Sequence, residues 1–309
     1  LAVLGAMFVS ELLRARGVRS FGGWILLAGS LAGLGMAWAS PVADASLWSG
    51  DYVVDGLARF LKLLFVAALV LSTTASLGYM ERRAGEGEYY LCLGASTLGM
   101  MLLAGAGELI SLFVALELTT ISLYLLTALL RGETASQEAG LKYLLVGAFS
   151  AALFLFGASL LYAATGTTSL AGMKAAVPPG AGDPMLLFGL VLVLAAVGFK
   201  IAAVPFHMWA PDVYQAAPTP VVAFASTASK AAGFAVLIRI VLGALHGLQA
   251  DWTLLLSVSA ALTLAIGSFV AIPQTNIKRL LAYSSIAQAG YLLIGFLPGS
   301  ERGLSSVLF

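Results

Sequence analysis

The sequence is poor in the groups that most soluble chemistry needs. It has one cysteine, two histidines and charge on only 10% of its 309 residues. A single thiol excludes an internal disulfide and any CxxC metal or iron–sulfur site. Cys92 lies in an apolar run and reads as a small buried hydrophobe. No GxGxxG or GxxxxGK[ST] fingerprint occurs, so no nucleotide pocket is visible. A formal charge of +1 leaves no basic stripe for nucleic acid. What remains is apolar: 60% of the residues are hydrophobic and the mean hydropathy is +0.98. Soluble domains carry roughly 25% charged residues, so the class is a polytopic, all-α membrane protein.

A spanning helix needs ~20 apolar residues. Runs of that kind lie at 21–39, 57–80, 89–106, 109–130, 139–164, 185–204, 220–243, 252–272 and 277–297. A shorter run, 1–13, precedes them, and another begins at Gly303. Arg14, Arg16, Arg19, Arg82, Arg83, Arg131, Lys278 and Arg279 fall on one side when the runs alternate. The positive-inside rule makes that side cytoplasmic. Asp44, Asp51, Asp55, Asp183 and Asp251 fall opposite. Trp38, Trp48, Trp209 and Trp252 lie near run ends and read as interfacial anchors. Loops are short; the longest, about 40–56 and 165–184, hold turn-formers rather than a soluble domain. The 34 glycines suit close helix packing in lipid.

Against this background a few ionisable residues stand out. A charge at membrane depth costs ~2.5–3.5 kcal/mol or more and persists where it faces protein or water. Glu117 lies well inside the run 109–130. Lys200 lies late in the run that begins at Met185, and Pro205, five residues on, should break the helix between about 199 and 206. Broken helices beside ionisable groups mark many transporter sites. His207 follows Lys200 by seven residues, which on an unbroken helix would put both on one face; its pKa range suits a relay. Lys230 lies about ten residues into its helix, with Ser226 and Thr227 one turn earlier to hold water and Gly233 with neighbouring alanines suggesting room. Lys142 and Lys278 sit near helix ends, where they can snorkel. Arg59, Lys62 and Arg239 read as anchors or local pairs, and Glu81-Arg82-Arg83 as a solvated loop. One acid, two or three deep lysines and a histidine are what a lateral proton relay needs. Nothing resembles a nucleophile with its base and orienter.

The stretch Pro205-Phe206-His207-Met208-Trp209-Ala210-Pro211-Asp212-Val213-Tyr214-Gln215-Ala216-Ala217-Pro218-Thr219-Pro220-Val221 resembles a signature of the antiporter-like subunits of proton-translocating NADH–quinone oxidoreductase, respiratory complex I. Gln274-Thr275-Asn276-Ile277-Lys278-Arg279-Leu280-Leu281-Ala282-Tyr283-Ser284-Ser285-Ile286 agrees, as do Glu138-Ala139-Gly140-Leu141-Lys142-Tyr143 and Ser229-Lys230-Ala231-Ala232. Asp212-Val213-Tyr214 and Thr275-Asn276-Ile277-Lys278-Arg279 favour the N-type (subunit 2) branch over its L and M sisters.

The resemblance implies about fourteen helices in two inverted five-helix repeats, each forming a half-channel around a broken helix. It implies N-terminal helices over 1–88, a first repeat over 89–243, and the start of a second, incomplete repeat over 244–309. About ten or eleven helices belong to the sequence given, with further helices expected after Phe309. It makes Glu117, Lys200, Lys230 and His207 a proton relay, with Lys142 and Lys278 as lesser basic sites. It implies an enzyme only in the sense of a translocase subunit with no redox centre of its own. NADH, FMN, iron–sulfur clusters and quinone are expected on partner subunits. Neighbouring antiporter-like and small membrane subunits, and the bilayer, are the expected partners, in a bacterial plasma membrane. A subunit of a multisubunit cation/proton antiporter, or of a related quinone or ferredoxin oxidoreductase, is the alternative. A structural scaffold whose ion pairs only staple helices is the third reading, and the Pro205 break beside Lys200 argues against it.

Overall fold

The computed structural model describes residues 3–8, 21–39, 45–81 and 85–309. Arg14, Arg16, Arg19, Arg82, Arg83, Asp44 and most of the run 1–13, on which part of the orientation rests, lie outside the described residues. The molecule is a multi-pass helical membrane protein. Seven helices among the described residues are long and apolar enough to cross a bilayer.

In chain order, α1 spans Gly22–Ala39, α2 Gly56–Met80, α3 Glu86–Ala104, α4 Leu109–Thr127 and α5 Thr134–Thr165. The short α6 (Leu170–Ala176) follows, then α7 (Pro184–Ile201) and α8 (Trp209–Ala216). The last four are α9 (Thr219–Ala244), α10 (Gln249–Ala271), α11 (Ile277–Phe296) and α12 (Glu301–Leu308). The apolar runs thus became helices almost in place. The helices α3 and α11 are 19 and 20 residues long but more polar than the seven, with Glu86 and Glu88, or Lys278 and Arg279, in their first turns. The 32 residues of α5 reach ~48 Å against a hydrocarbon core of ~30 Å, so this helix must tilt or protrude.

The two longest loops are not plain turns. The first holds a two-stranded antiparallel hairpin, β1 (Ala45–Leu47) with β2 (Tyr52–Val54). The second holds α6, whose first turn is capped by the Ser169 hydroxyl. Helix pairs close on small residues. A Cβ added at Gly157 of α5 would come within 2.9 Å of the Gly189 carbonyl of α7, so only glycine permits that crossing. Ser150 of the same face donates to the Ala196 carbonyl at 3.1 Å.

The tryptophans divide. Trp38 and Trp48 are exposed, as interfacial anchors would be, but Trp209 and Trp252 are buried and serve the interior. The Trp252 indole N–H donates to the Leu245 carbonyl. Cys92 is half-buried rather than buried.

Arg239 was expected to pair locally and instead spans the fold. Its guanidinium grips Asp55 at 2.6 and 2.9 Å and the Ala104 carbonyl at 2.7 Å. Asp55 also caps α2 by accepting from the Ala58 N–H at 2.7 Å. This one ion pair therefore ties the start of α2, the end of α3 and the last turns of α9. Partial burial raises the Asp55 pKa, but the hydrogen bonds from Arg239 and Ala58 and the Arg239 charge outweigh it and hold the carboxyl below its usual range. A carboxyl depressed in the folded state adds stability above its unfolded pKa of ~3.9, and that stability is lost as pH falls through the folded value. Asp55→Ala is therefore expected to cost about 2–3 kcal/mol. It should also flatten the acid limb of the unfolding midpoint of the detergent-solubilised protein. An unchanged midpoint at pH 7 would show that the grip contributes nothing.

Candidate functional site

The helix break lies where a proline would put it. Pro205 clashes with helical geometry at the carbonyl four residues earlier, that of Ile201, and α7 ends at Ile201. Ala202 then takes a left-handed conformation, φ 58° and ψ 42°. The Ala203 N–H returns to the Gly198 carbonyl at 2.8 Å and the Ala202 N–H to Phe199 at 3.1 Å. This is a Schellman stop with alanine where glycine is usual. The chain runs extended and turned to Trp209 before helix resumes.

Backbone freed at membrane depth must be satisfied by protein or water. Here α10 does it. The Val204 N–H donates to the Thr263 hydroxyl at 2.9 Å, and the Ser259 hydroxyl donates to the Val204 carbonyl at 3.0 Å. The Trp209 indole N–H donates to the Phe199 carbonyl at 3.0 Å, which ties α8 back across the gap to α7.

Lys200 occupies the last turn of α7 and is 2% exposed. Its Nζ donates to the Thr120 hydroxyl of α4 at 2.9 Å. Thr120 lies one turn after Glu117, whose half-buried carboxylate feels the Lys200 charge without closing an ion pair with it. Glu117 is ~12 Å along α4 from its first residue. Lys230 is ~16 Å along α9 and 6% exposed. Its Nζ donates to the Ser285 carbonyl at 2.8 Å and to the Ser285 hydroxyl at 2.6 Å. Neither lysine snorkels.

The polar neighbours expected for Lys230 do something else. Ser226 and Thr227 donate to the Ala223 and Phe224 carbonyls of their own helix. They still line, with Lys230, Ser285 and Gln288, a cavity of about 180 Å³. The backbone of α9 is π-helical over Ala225–Ser229 and again over Ile238–Ala244, on either side of Lys230–Leu237. Such wide turns are frequent at functional sites.

Gly233, one turn after Lys230, is not a mark of room. A Cβ there would lie 2.6 Å from Ile201 Cγ2 and 3.1 Å from Lys200 Cγ. The glycine lets α9 press directly on the Lys200 stem and so brings the two lysine-bearing helices together. Gly233→Ala should wedge them apart and destabilise the protein by about 1–3 kcal/mol. The unfolding midpoint of the purified protein reads this; a midpoint equal to wild type would mean the contact yields freely.

His207 does not share a helical face with Lys200, because the break lies between them. It sits in the connecting turn, half-buried, with its Nδ1 enclosed beside the Pro205 backbone. It makes no hydrogen bond to Glu117, Lys200 or Lys230. Lys142 and Lys278 gather near the start of α5 and at the start of α11. Lys142 pairs with Glu138 at 2.8 Å and Asp212 at 3.2 Å, and Arg279 pairs with the other Asp212 oxygen at 2.6 Å. Lys278 donates to the Ala217 carbonyl at 3.1 Å. Glu138, Lys142, Asp212, Ala217 and Lys278 line a polar recess of about 410 Å³. Arg131 pairs with Glu88 at 3.2 Å. These exposed pairs are screened by water and contribute little to stability.

Thr120, Ser285, Thr263 and Ser259 are partners that sequence reading missed. Nothing local distinguishes them from the other hydroxyls of the chain. Only the reach of a lysine or a freed backbone group from another helix identifies them.

A bundle of spanning helices, one broken beside a buried lysine and a second lysine held on the next spanning helix, defines an antiporter-like membrane protein. The chain belongs to the NADH:quinone oxidoreductase/Mrp antiporter transmembrane family, whose model matches residues 106–309. It is 50% identical over 285 residues to NADH-quinone oxidoreductase subunit N of Moorella thermoacetica, which covers 92% of this chain and 59% of that protein. Its fold resembles a chain of respiratory complex I from Thermus thermophilus, with a TM-score of 0.78 at 37% identity over 97% of this chain and 64% of that one. A chain of the Mrp complex from Dietzia sp. DQ12-45-1b is also similar, with a TM-score of 0.83 at 29% identity over 99% of this chain and 34% of that one. The chain thus spans about three fifths of the subunit N relative's length.

Proposed function

We propose that this chain forms part of a proton-translocating membrane subunit of an NADH–quinone oxidoreductase of the complex I type. The observation that carries the reading is the pair of buried lysines on adjoining helices, each held by a hydroxyl rather than by a carboxylate. A hydroxyl oxygen accepts from an ammonium and its proton can be donated to a neutral amine. Both forms of each lysine therefore keep a partner, which a fixed ion pair would not allow. Glu117 supplies the acid next to Lys200. Lys142 and Lys278 lie at the polar recess on one face, and His207 lies in the broken segment, where each can exchange protons with water.

The first antiporter-like repeat is assigned to 89–243 and the start of a second to 244–309. NADH, FMN, iron–sulfur clusters and quinone belong on partner subunits in this reading, and neighbouring antiporter-like subunits flank the chain in the membrane. The subunit N relatives and the complex I fold support it. The similarity to the Mrp complex supports a cation/proton exchanger as the second reading.

The test is affinity purification of the tagged full-length subunit from its own membranes, followed by transport in sealed vesicles. NADH-driven quinone reduction that moves protons, in a preparation holding flavin and iron–sulfur subunits, is the expected result. Sodium–proton exchange that needs no electron donor would replace this reading by the second.

A further inference from the structure

On the segments that carry the polar recess and Glu117, the rings of Tyr214, Trp209, Tyr143 and Tyr124 form one contiguous stack. Trp209 meets Tyr214 edge-on at 5.9 Å and lies face to face on Tyr143 at 4.3 Å. Tyr143 meets Tyr124 edge-on at 4.8 Å. Tyr143 follows Lys142 on α5 and Tyr214 lies two residues after Asp212 on α8, so both rings hang from segments that line the recess. The inner end adjoins the acid. Tyr124 is seven residues after Glu117 on α4, two turns along nearly the same face, and its phenol feels the Glu117 charge.

The hydroxyls at the two ends of this stack, Tyr124 and Tyr214, are enclosed and have no protein hydrogen-bond partner. Tyr124 is 6% exposed and Tyr214 1%. A buried hydroxyl left unpaired costs about 1–3 kcal/mol. Two of them at the ends of one ring stack, on segments that carry charged groups and a half-buried acid, call for water at each. We propose that Tyr124, Tyr143 and Tyr214 line the input path by which protons pass from the Lys142–Asp212–Lys278 recess to Glu117, with their hydroxyls and bound water as the carriers. The inference rests on the proton-translocating reading above. Each transfer is balanced: a proton arrives on one lone pair of the phenol oxygen while the phenol's own proton leaves to the next oxygen. The phenol stays neutral and resets by rotating its O–H. No side chain is oxidised or reduced.

Tyr→Phe removes only the hydroxyl and keeps the stack, so the protein should assemble in wild-type amounts. In vesicles containing the assembled complex, the Tyr124→Phe/Tyr214→Phe variant should lose proton uptake ~10²-fold, in line with loss of positioned proton carriers, and each single variant should lose part of that. Tyr90→Phe serves as control, because the Tyr90 hydroxyl is also enclosed and unpartnered but lies against Gly23 of α1, away from the recess. Its uptake should equal wild type. Wild-type uptake by the double variant, or an equal loss in Tyr90→Phe, would overturn the path. Lys230→Ala in the same vesicles separates the two claims. Loss there with full uptake in the double variant removes the tyrosine path and leaves the relay standing; full uptake in Lys230→Ala removes the relay itself.

Discussion

Glu117→Gln should abolish proton uptake while leaving the subunit folded and assembled. The amide keeps the size and the hydrogen-bonding capacity of the carboxyl, so packing on α4 changes little. It can neither bind nor release a proton. Lys200 also loses the opposite charge of Glu117, while its hydrogen bond to Thr120 remains. Loss of a positioned proton carrier corresponds to ~10²-fold or more in rate. Thr120→Val is the informative companion, because it removes the Lys200 partner and leaves the carboxylate. It should lower uptake less than Glu117→Gln. Proton uptake per assembled complex in sealed vesicles measures both. Full uptake by Glu117→Gln would make the carboxylate a structural group.

Lys230→Ala should have an effect of similar size for a different reason. A lysine within a bilayer passes protons only by alternating between charged and neutral forms. Alanine has nothing to alternate, and arginine, whose pKa above ~12 keeps it protonated, should fail as well. The two substitutions differ in what they leave behind. Alanine leaves the Ser285 hydroxyl and carbonyl facing the 180 Å³ cavity, which water can enter. Arginine adds bulk to a helix that Gly233 holds against Ile201 and Lys200. Assembly should therefore survive alanine better than arginine. Assembled, fully pumping complexes from both would mean that Lys230 only staples α9 to α11.

The spans were legible because lipid imposes a local rule, a run of apolar residues, and nearly every run became a helix. The break was legible for the same reason: Pro205 acts on its own backbone, and the α-helix stops at Ile201 as its clash requires. The end-on consequence was not. The satisfaction of Val204 by Thr263 and Ser259 depends on α10 packing there, and no local pattern marks those two hydroxyls.

Charges followed the same division. Burial of Lys200 and Lys230 could be read from depth alone. Their partners, Thr120 and Ser285, come from helices 80 and 55 residues away along the chain. Arg239 was misread for want of that information, because Asp55 is 184 residues distant. Trp209 and Trp252 were misread because a tryptophan near a run end has two uses, anchoring in headgroups or bridging backbone inside the bundle, and spacing does not separate them. Gly233 was read as space when it marks contact, since a missing side chain looks the same in sequence whether the gap is empty or filled by a neighbouring helix.

The most direct test is the number of protons moved per NADH oxidised by the purified complex in sealed vesicles, wild type against Lys230→Ala, at matched amounts of assembled enzyme. If the buried lysines carry protons, the variant moves fewer protons per NADH, or loses proton movement and coupled NADH oxidation together. A Lys230→Ala complex that oxidises NADH at the wild-type rate and moves the wild-type number of protons would contradict it.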